Sequence, residues 1–287
     1  MKYIKLLRIR HWIKNILIFL PLFFSGSLLS AADKILNCIL AFVCFCLVSS
    51  AIYIFNDIRD VEQDRKHPRK AKRPIASGEI SVRTGIVIMV ILIAAAAVIS
   101  VIRIPVSGLF LVVYLLLNVS YSIWLKHIPI VDVSCIASGF LIRMMYGAFV
   151  ADIAISNWLY LTVIAASFYM ALGKRRNELV NTGEDTTRKV LKEYTVGFLD
   201  KAMTAMLSLT IMCYALWSVD NTTVQHYGSN NIIWTVPLVI IIILKYNLDL
   251  EKKTDGDPVE VFTHDGILIS LVAVYACFMV TLLYFLR

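Results

Sequence analysis

The stretch Ile54-Phe55-Asn56-Asp57-Ile58-Arg59-Asp60-Val61-Glu62-Gln63-Asp64 decides how this chain is read, because a long apolar run ends there directly in acids. On a helix, Asn56, Asp60 and Asp64 stand four apart and Asp57 three before Asp60, so these side chains share neighbouring parts of one face. Hard oxygen ligands gathered in this way suit Mg²⁺, which keeps several waters and binds through one or two carboxylates together with substrate phosphates. A solvated helix end would also collect charge. It has no reason to set Asn56 and Asp57 against Ile54 and Phe55, at a depth where an uncompensated carboxylate costs several kcal/mol.

The acids run on into His67-Pro68-Arg69-Lys70-Ala71-Lys72-Arg73-Pro74-Ile75-Ala76-Ser77-Gly78. Two prolines stop the helix and Gly78 permits a turn, so these cations ride on a loop able to fold back over the acids. Lys72 and Arg73 are the expected phosphate contacts, with Arg65 and Lys70 beside them. His67 reads as structural, since metal-assisted departure of a phosphate needs little general acid.

The surroundings of the motif are a membrane protein's. Over 287 residues the mean hydropathy is +0.75 and 59% of residues are hydrophobic, against roughly 45–50% in soluble domains. Segments of about 17–25 residues, long enough to span, fall near 14–32, 35–56, 84–102, 105–124, 129–151, 156–173, 199–218, 232–248 and 266–286. The expectation is an all-α polytopic bundle of about nine transmembrane helices, forming a single membrane-embedded domain over 1–287, with a cut between two spans around Ile104-Pro105.

The charges orient it. Of the 28 Lys and Arg, only Lys34, Arg103 and Arg287 fall in outer segments, and Arg143 lies inside a span. Cytoplasmic loops carry the excess of cations, so the N-terminus and the acidic motif are expected inside and the C-terminus outside. The net charge of +8 therefore gathers on one membrane face, where anionic headgroups and phosphorylated small molecules are better partners than nucleic acid. Part of it serves orientation alone. The first apolar stretch could pass for a signal peptide, but its removal would discard Arg10, Trp12 and Lys14 and turn the basic loops outward. Six cysteines sit in apolar spans without a CxxC pair and read as small core residues.

Four further constellations carry charge. Gly173-Lys174-Arg175-Arg176-Asn177-Glu178 opens the third inner loop. Lys174 and Glu178 are one turn apart, which as a surface pair is worth a few tenths of a kcal/mol; at the mouth of a span, a second anion site is the better reading. Tyr121, Lys126 and Asp132 mark the short loop between the fourth and fifth spans. Arg143 serves either a structural ion pair or a substrate, because an intramembrane cation faces the bundle interior. Arg8-Ile9-Arg10-His11-Trp12-Ile13-Lys14-Asn15 reads as an interfacial anchor or as a grip on a lipid phosphate. The role of the Asp255–Asp265 stretch, with His264, stays open.

Metal-binding acids beside Lys and Arg at the bilayer surface suit expulsion of a diphosphate, with the electrophilic carbon attacked by a second substrate. Asn56-Asp57-x-x-Asp60-x-x-x-Asp64, the nine spans and the inner loops resemble the UbiA superfamily of intramembrane prenyltransferases over nearly the whole chain. Members of that superfamily are expected to carry a second aspartate-rich motif in the third inner loop, where this chain has Gly173-Lys174-Arg175-Arg176-Asn177-Glu178. With Arg10-x-Trp12-x-Lys14-Asn15, His67-Pro68-x-Lys70-x-x-Arg73-Pro74 and Tyr121-Ser122-x-x-Leu125-Lys126-His127, the loop is similar to a branch using phosphoribosyl pyrophosphate as donor and a polyprenyl phosphate as acceptor. The resemblance implies a Mg²⁺-dependent phosphoribosyltransferase forming polyprenylphosphoryl-5-phosphoribose, a precursor of arabinofuranose donors for cell-envelope arabinan. It assigns Asp57, Asp60, Asp64 and Asn56 to the metal, Lys72 and Arg73 to the diphosphate, Lys174 and Arg175 to the donor's 5-phosphate, and Arg10 and Lys14 to the acceptor, with Glu178 also counted as substrate-binding. Tyr121, Lys126 and Arg143 complete the substrate-binding set, and a homo-oligomer is left open. The rival readings are a prenyltransferase acting on an aromatic acceptor and a transporter of anionic metabolites; the latter would place its charges near the bilayer midplane.

Overall fold

The computed structural model describes residues 2–26, 31–66, 70–182, 189–251, 261 and 265–285. His67 and, apart from Val261, the stretch 255–264 lie outside the described residues. Among the described residues every regular element is helical: α1 (Lys2–Leu7), a 3₁₀ segment (Ile9–Phe19) continuing into α2 (Leu20–Phe24), α3 (Ala32–Arg59), α4 (Val61–Lys66), α5 (Val82–Arg103), α6 (Gly108–Ile123), α7 (Val131–Val150), α8 (Asn157–Thr182), α9 (Val196–Val219), α10 (Asn221–Tyr227), α11 (Val236–Glu251) and α12 (Gly266–Val280), which ends in a π turn at Thr281–Phe285. This is a helical membrane bundle.

Each apolar stretch in the sequence becomes helix, but only six helices among the described residues are long and apolar enough to cross a bilayer on their own. The three that fall short do so for different reasons. The first stretch is wound mainly as an 11-residue 3₁₀ segment, a geometry rarely sustained beyond 3–4 residues. α6 is only 16 residues long. α8 has the length, at 26 residues, but its apolar run is interrupted by Thr162, Ser167 and Tyr169 and gives way to Lys174, Arg175 and Arg176 well before its end at Thr182. The turn expected near Ile104-Pro105 is present between Arg103 and Gly108.

The described chain divides into two compact units. In the first, α3 packs on α5, α6 and the 3₁₀ segment, and Ile142 to Val150 of α7 join them. Its core gathers Phe45, Tyr114 and Tyr146 with Ile18 and Leu22, and the Phe45 and Tyr114 rings meet at 4.4 Å between centroids. Close approach of the backbones depends on one residue. A Cβ at Gly147 would fall far inside contact distance of the Ile18 carbonyl, which is the small-residue packing that lets membrane helices touch. Gly147→Ala is therefore expected to cost about 3 kcal/mol through overpacking against an immovable backbone. An unchanged thermal midpoint in detergent would contradict this contact.

In the second unit, α8 and α9 form the main helix pair, with α11 and α12 beside them. Tyr169, Leu172, Leu199, Met203, Tyr246, Leu250 and Leu268 make its core. Asp265 accepts the Ile267 and Leu268 amides as the N-cap of α12, satisfying two of the orphan donors of a helix start. Its carboxyl also pairs with Lys245, which reaches Asp249 at 2.6 Å. The Lys245 hydrogen bond, followed by the Leu268 amide, holds Asp265 down to about 2. The acid left open in the sequence is thus a helix cap and ion-pair partner.

Candidate functional site

α3 is 28 residues long, about 42 Å at 1.5 Å per residue, and outruns a hydrocarbon core of about 30 Å. Its C-terminal end carries Asn56 and Asp57. The helix breaks at Asp60, with φ −95° and ψ 13°, yet the amides of Asp60 and Asp64 still bond the carbonyls of Asn56 and Asp60 at 3.0 and 2.8 Å. The register of the acids thus survives the break between α3 and α4. Asp57 and Asp64 end up buried, at 2% and 3% exposure.

Two buried carboxylates need compensation, and two arginines supply it. Arg73 Nη1 donates to Asp57 Oδ1 at 3.1 Å and to Asp64 Oδ2 at 2.6 Å, while Arg8 Nη2 donates to the same Asp57 oxygen. Arg8 sits at the elbow between α1 and the 3₁₀ segment with φ +50°, a backbone region uncommon for residues other than glycine. Its guanidinium lies 4.8 Å from the Tyr53 ring centroid. The elbow is fixed from α3: Trp12 Nε1 donates to Ser50 Oγ at 3.0 Å, and Ser50 donates to the Leu7 carbonyl at 2.8 Å.

The loop bearing Arg73 does fold back over the acids, and apolar anchors explain how. Ile75 and Ile80 are buried with Leu6 and Ile54 in a small core of their own, where each such side chain contributes about 1.5–3 kcal/mol of burial. Gly78 turns the chain with φ +81°, Ile80 closes the turn onto the Pro74 carbonyl at 2.9 Å, and Arg65 Nε holds the Ala76 carbonyl at 3.2 Å. Lys70 is half-buried and Lys72 is exposed. Asn56 is oriented by Ser122 of α6, whose hydroxyl donates to its Oδ1.

Deeper in the first unit, Arg143 is 6% exposed. It donates to Asn15 Oδ1 and to the Tyr114 hydroxyl, both at 2.8 Å, and lies 4.8 and 4.9 Å from the Phe45 and Tyr114 rings. Lys14 is half-buried, Arg10 exposed and Tyr121 half-buried.

In the second unit, Lys174 is half-buried, as are Glu178 and Lys126. Arg175 is placed otherwise than the sequence suggests. It is fully buried, with Nε 2.5 Å from Asp132 Oδ2 and Nη1 2.7 Å from Glu178 Oε2. Tyr194 completes the cluster by donating to Asp132 Oδ1 at 2.6 Å while accepting from the Ile130 amide at 2.7 Å. Burial, and then the bond to Asp132, hold the Tyr194 phenol above its ordinary range. The Arg175 guanidinium, expected at a phosphate, here pairs with Asp132 and Glu178 inside the fold.

Comparison with known proteins agrees with the architecture. The model of the UbiA prenyltransferase family matches residues 18–272. The chain belongs to the UbiA prenyltransferase family. Relatives of this UbiA chain include proteins named decaprenyl-phosphate phosphoribosyltransferase. That of Mycolicibacterium smegmatis is 35% identical, covering 92% of this chain and 87% of the relative. Those of Corynebacterium glutamicum and Mycobacterium tuberculosis are 36% and 32% identical, each over 92% of this chain, covering 81% and 88% of their own lengths. The fold is similar to that of a UbiA homologue from Archaeoglobus fulgidus bound to GPP and Mg²⁺, with TM-score 0.69 and 17% identity over 99% and 98% of the two chains. It is also similar to a digeranylgeranylglyceryl phosphate synthase, with TM-score 0.66 and 19% identity over 97% of each.

The donor set of this UbiA chain suits a hard divalent ion. Asp57 and Asp64 direct oxygens at one guanidinium nitrogen, so two buried carboxylates already converge on a single positive charge, the arrangement that hard cations select. In the sequence Asn56 directly precedes Asp57, and Asp60 lies between Asp57 and Asp64. No group of three acid, His or Cys side chains is gathered at one point among the described residues; Arg73 bridges Asp57 and Asp64, and Arg8 pairs with Asp57. Arg8 is the partner of Asp57 that the motif reading passed over. Its only signal in the sequence is its place at the head of the Arg8–Asn15 cationic cluster.

Proposed function

We propose that this chain transfers 5-phosphoribosyl from phosphoribosyl pyrophosphate to a polyprenyl phosphate, releasing diphosphate and forming polyprenylphosphoryl-5-phosphoribose. The observation that carries the reaction class is the convergence of Asp57, Asp64, Arg8 and Arg73 at the end of α3. The choice of donor is supported by the names of the relatives matching 92% of the chain. It is also supported by the Lys174-bearing sequence where a second acidic motif would stand. In this reading both units serve one transferase, in the plasma membrane, with the N-terminus and the acids on the cytoplasmic side and the C-terminus outside, as the loop charges require.

Asp57, Asp64, Asp60 and Asn56 hold Mg²⁺ in this proposal. Held there, the divalent charge would offset the negative charge that develops on the departing diphosphate. Arg8 and Arg73 exchange the carboxylates for diphosphate oxygens as the donor enters, so that no buried charge goes unpaired, and Lys72 adds a further cation. An anionic oxygen of the acceptor phosphate forms the new bond to ribose C1 while the bond from C1 to diphosphate oxygen breaks, its electron pair leaving with diphosphate. Because that acceptor oxygen is already anionic, no strong general base is required. Arg10 and Lys14 hold the acceptor phosphate, and Lys174 takes the donor's 5-phosphate.

Purified protein incubated with labelled phosphoribosyl pyrophosphate and polyprenyl phosphate is expected to yield labelled lipid, and a chelator to stop it. Turnover of a prenyl diphosphate with an aromatic acceptor, without labelled lipid, would overturn the reading. Lys174→Ala is expected to raise the donor KM about tenfold, the worth of one charge-assisted contact, with the acceptor KM unchanged. Equal losses for the two substrates would remove Lys174 from the 5-phosphate.

A further inference from the structure

A cavity of about 260 Å³ opens within the second unit, at the charged ends of α8, α9 and α11. None of its residues belongs to the transferase machinery proposed above. Its polar lining is Arg176, Asp200, Thr204, Asn247 and Glu251, and its apolar lining is Met203, Leu207 and Leu250. Met203 and Leu250 are buried whereas Thr204, Glu251 and much of Asp200 are exposed, so the cavity has an apolar floor and a polar mouth.

The charges at that mouth are only partly used. Arg176 Nε donates to Asp200 Oδ1 at 2.7 Å, and Asn247 Oδ1 accepts from Tyr169 at 2.6 Å. The terminal nitrogens of Arg176, the second oxygen of Asp200 and the Glu251 carboxylate have no hydrogen-bond or ion-pair partner among the described residues. One cation thus meets two carboxylates, giving a local net charge of the opposite sign to the +8 of the whole chain. Cationic loops at a membrane surface attract anionic lipid, and this lining would repel a headgroup that is purely anionic. It complements one that carries its own cation next to its phosphate.

The apolar faces continue from the cavity along the membrane-spanning helices. Asp200, Met203, Thr204 and Leu207 follow the three- and four-residue spacing of one face of α9, and Ile211 comes one turn further on. On α11, Leu244 lies one turn from Asn247 and is 54% exposed.

We propose that this cavity seats the headgroup of a zwitterionic phospholipid bearing a primary ammonium, as in phosphatidylethanolamine. Arg176 receives the phosphate, Asp200 and Glu251 receive the ammonium, and an acyl chain follows Leu207, Ile211 and Leu244. A choline headgroup has no N–H to donate to the carboxylates and is disfavoured.

The test is thermal unfolding of the full chain in nanodiscs whose phosphatidylcholine is exchanged for phosphatidylethanolamine of the same acyl composition. The midpoint is expected to rise by about 4 °C, and successive N-methylation of the headgroup to erase the rise. Glu251→Gln, which removes a carboxylate, and Thr204→Trp, which fills the mouth, each alter an exposed position and are expected to unfold as the wild type does in phosphatidylcholine. Both should abolish the ethanolamine-dependent rise and lower the co-purified phosphatidylethanolamine about tenfold. Equal midpoints across the methylation series in the wild type would overturn the proposal, and so would a rise that both variants retain. An equal rise in detergent with soluble phosphoethanolamine would overturn the lipid assignment.

Discussion

Asp57→Asn and Asp64→Asn are each expected to lower kcat on the order of 10³-fold, the scale of losing the principal stabiliser of a developing anion. The fold should survive. Asparagine keeps an oxygen that can accept from Arg73, and in the Asp57 variant from Arg8, so the hydrogen bonds at 3.1 and 2.6 Å retain an acceptor. Thermal midpoints within about 4 °C of the wild type are expected. What each variant loses is a formal negative charge at the point where the two carboxylates converge, and Mn²⁺ binding in the presence of pyrophosphate, followed by electron paramagnetic resonance, reads that loss without turnover. Undiminished kcat in both variants would remove the metal assignment. A large drop in both midpoints would make the two acids structural counter-ions of Arg8 and Arg73.

This first prediction draws on what was most legible in the sequence. The spacing from Asn56 to Asp64 put the acids on one face, and that register persists because the backbone bonds at Asp60 and Asp64 continue through the break between α3 and α4. The folding back of the cationic loop was legible for the same kind of reason: prolines, a glycine and two isoleucines are local signals with local consequences. Arg8 was not legible as a partner of Asp57, since the contact spans 49 positions and depends on a left-handed backbone at an arginine, which no sequence pattern marks. The 3₁₀ winding of the first stretch was hidden too, since hydropathy records how apolar a segment is and not how it is wound. What favours the tight approach of that segment lies elsewhere, in the missing Cβ of Gly147.

Arg175, read in the sequence as a ligand contact, is held inside the fold by Asp132 and Glu178, and its variant carries the second large effect. Arg175→Met would leave Asp132, at 0% exposure, with the Tyr194 hydroxyl donating to it at 2.6 Å but without the guanidinium 2.5 Å away. Breaking one side of a buried pair costs about 3–5 kcal/mol, mostly the penalty of the stranded charge. Loss of folded protein in detergent is therefore expected, together with lowered yield, whereas Lys174→Ala one residue earlier should leave stability intact and move only the donor KM. The double variant Arg175→Met with Asp132→Asn distinguishes a stranded charge from lost packing. Removing both charges leaves the amide of residue 132 able to meet the Tyr194 hydroxyl, and buried ion pairs replaced on both sides are often neutral for stability. Recovery of most of the midpoint in the double variant is expected. If it is as unstable as Arg175→Met alone, the cluster is held by the shape of the arginine side chain rather than by its charge, and if Arg175→Met alone is stable while the donor KM rises, Arg175 belongs to the phosphate after all.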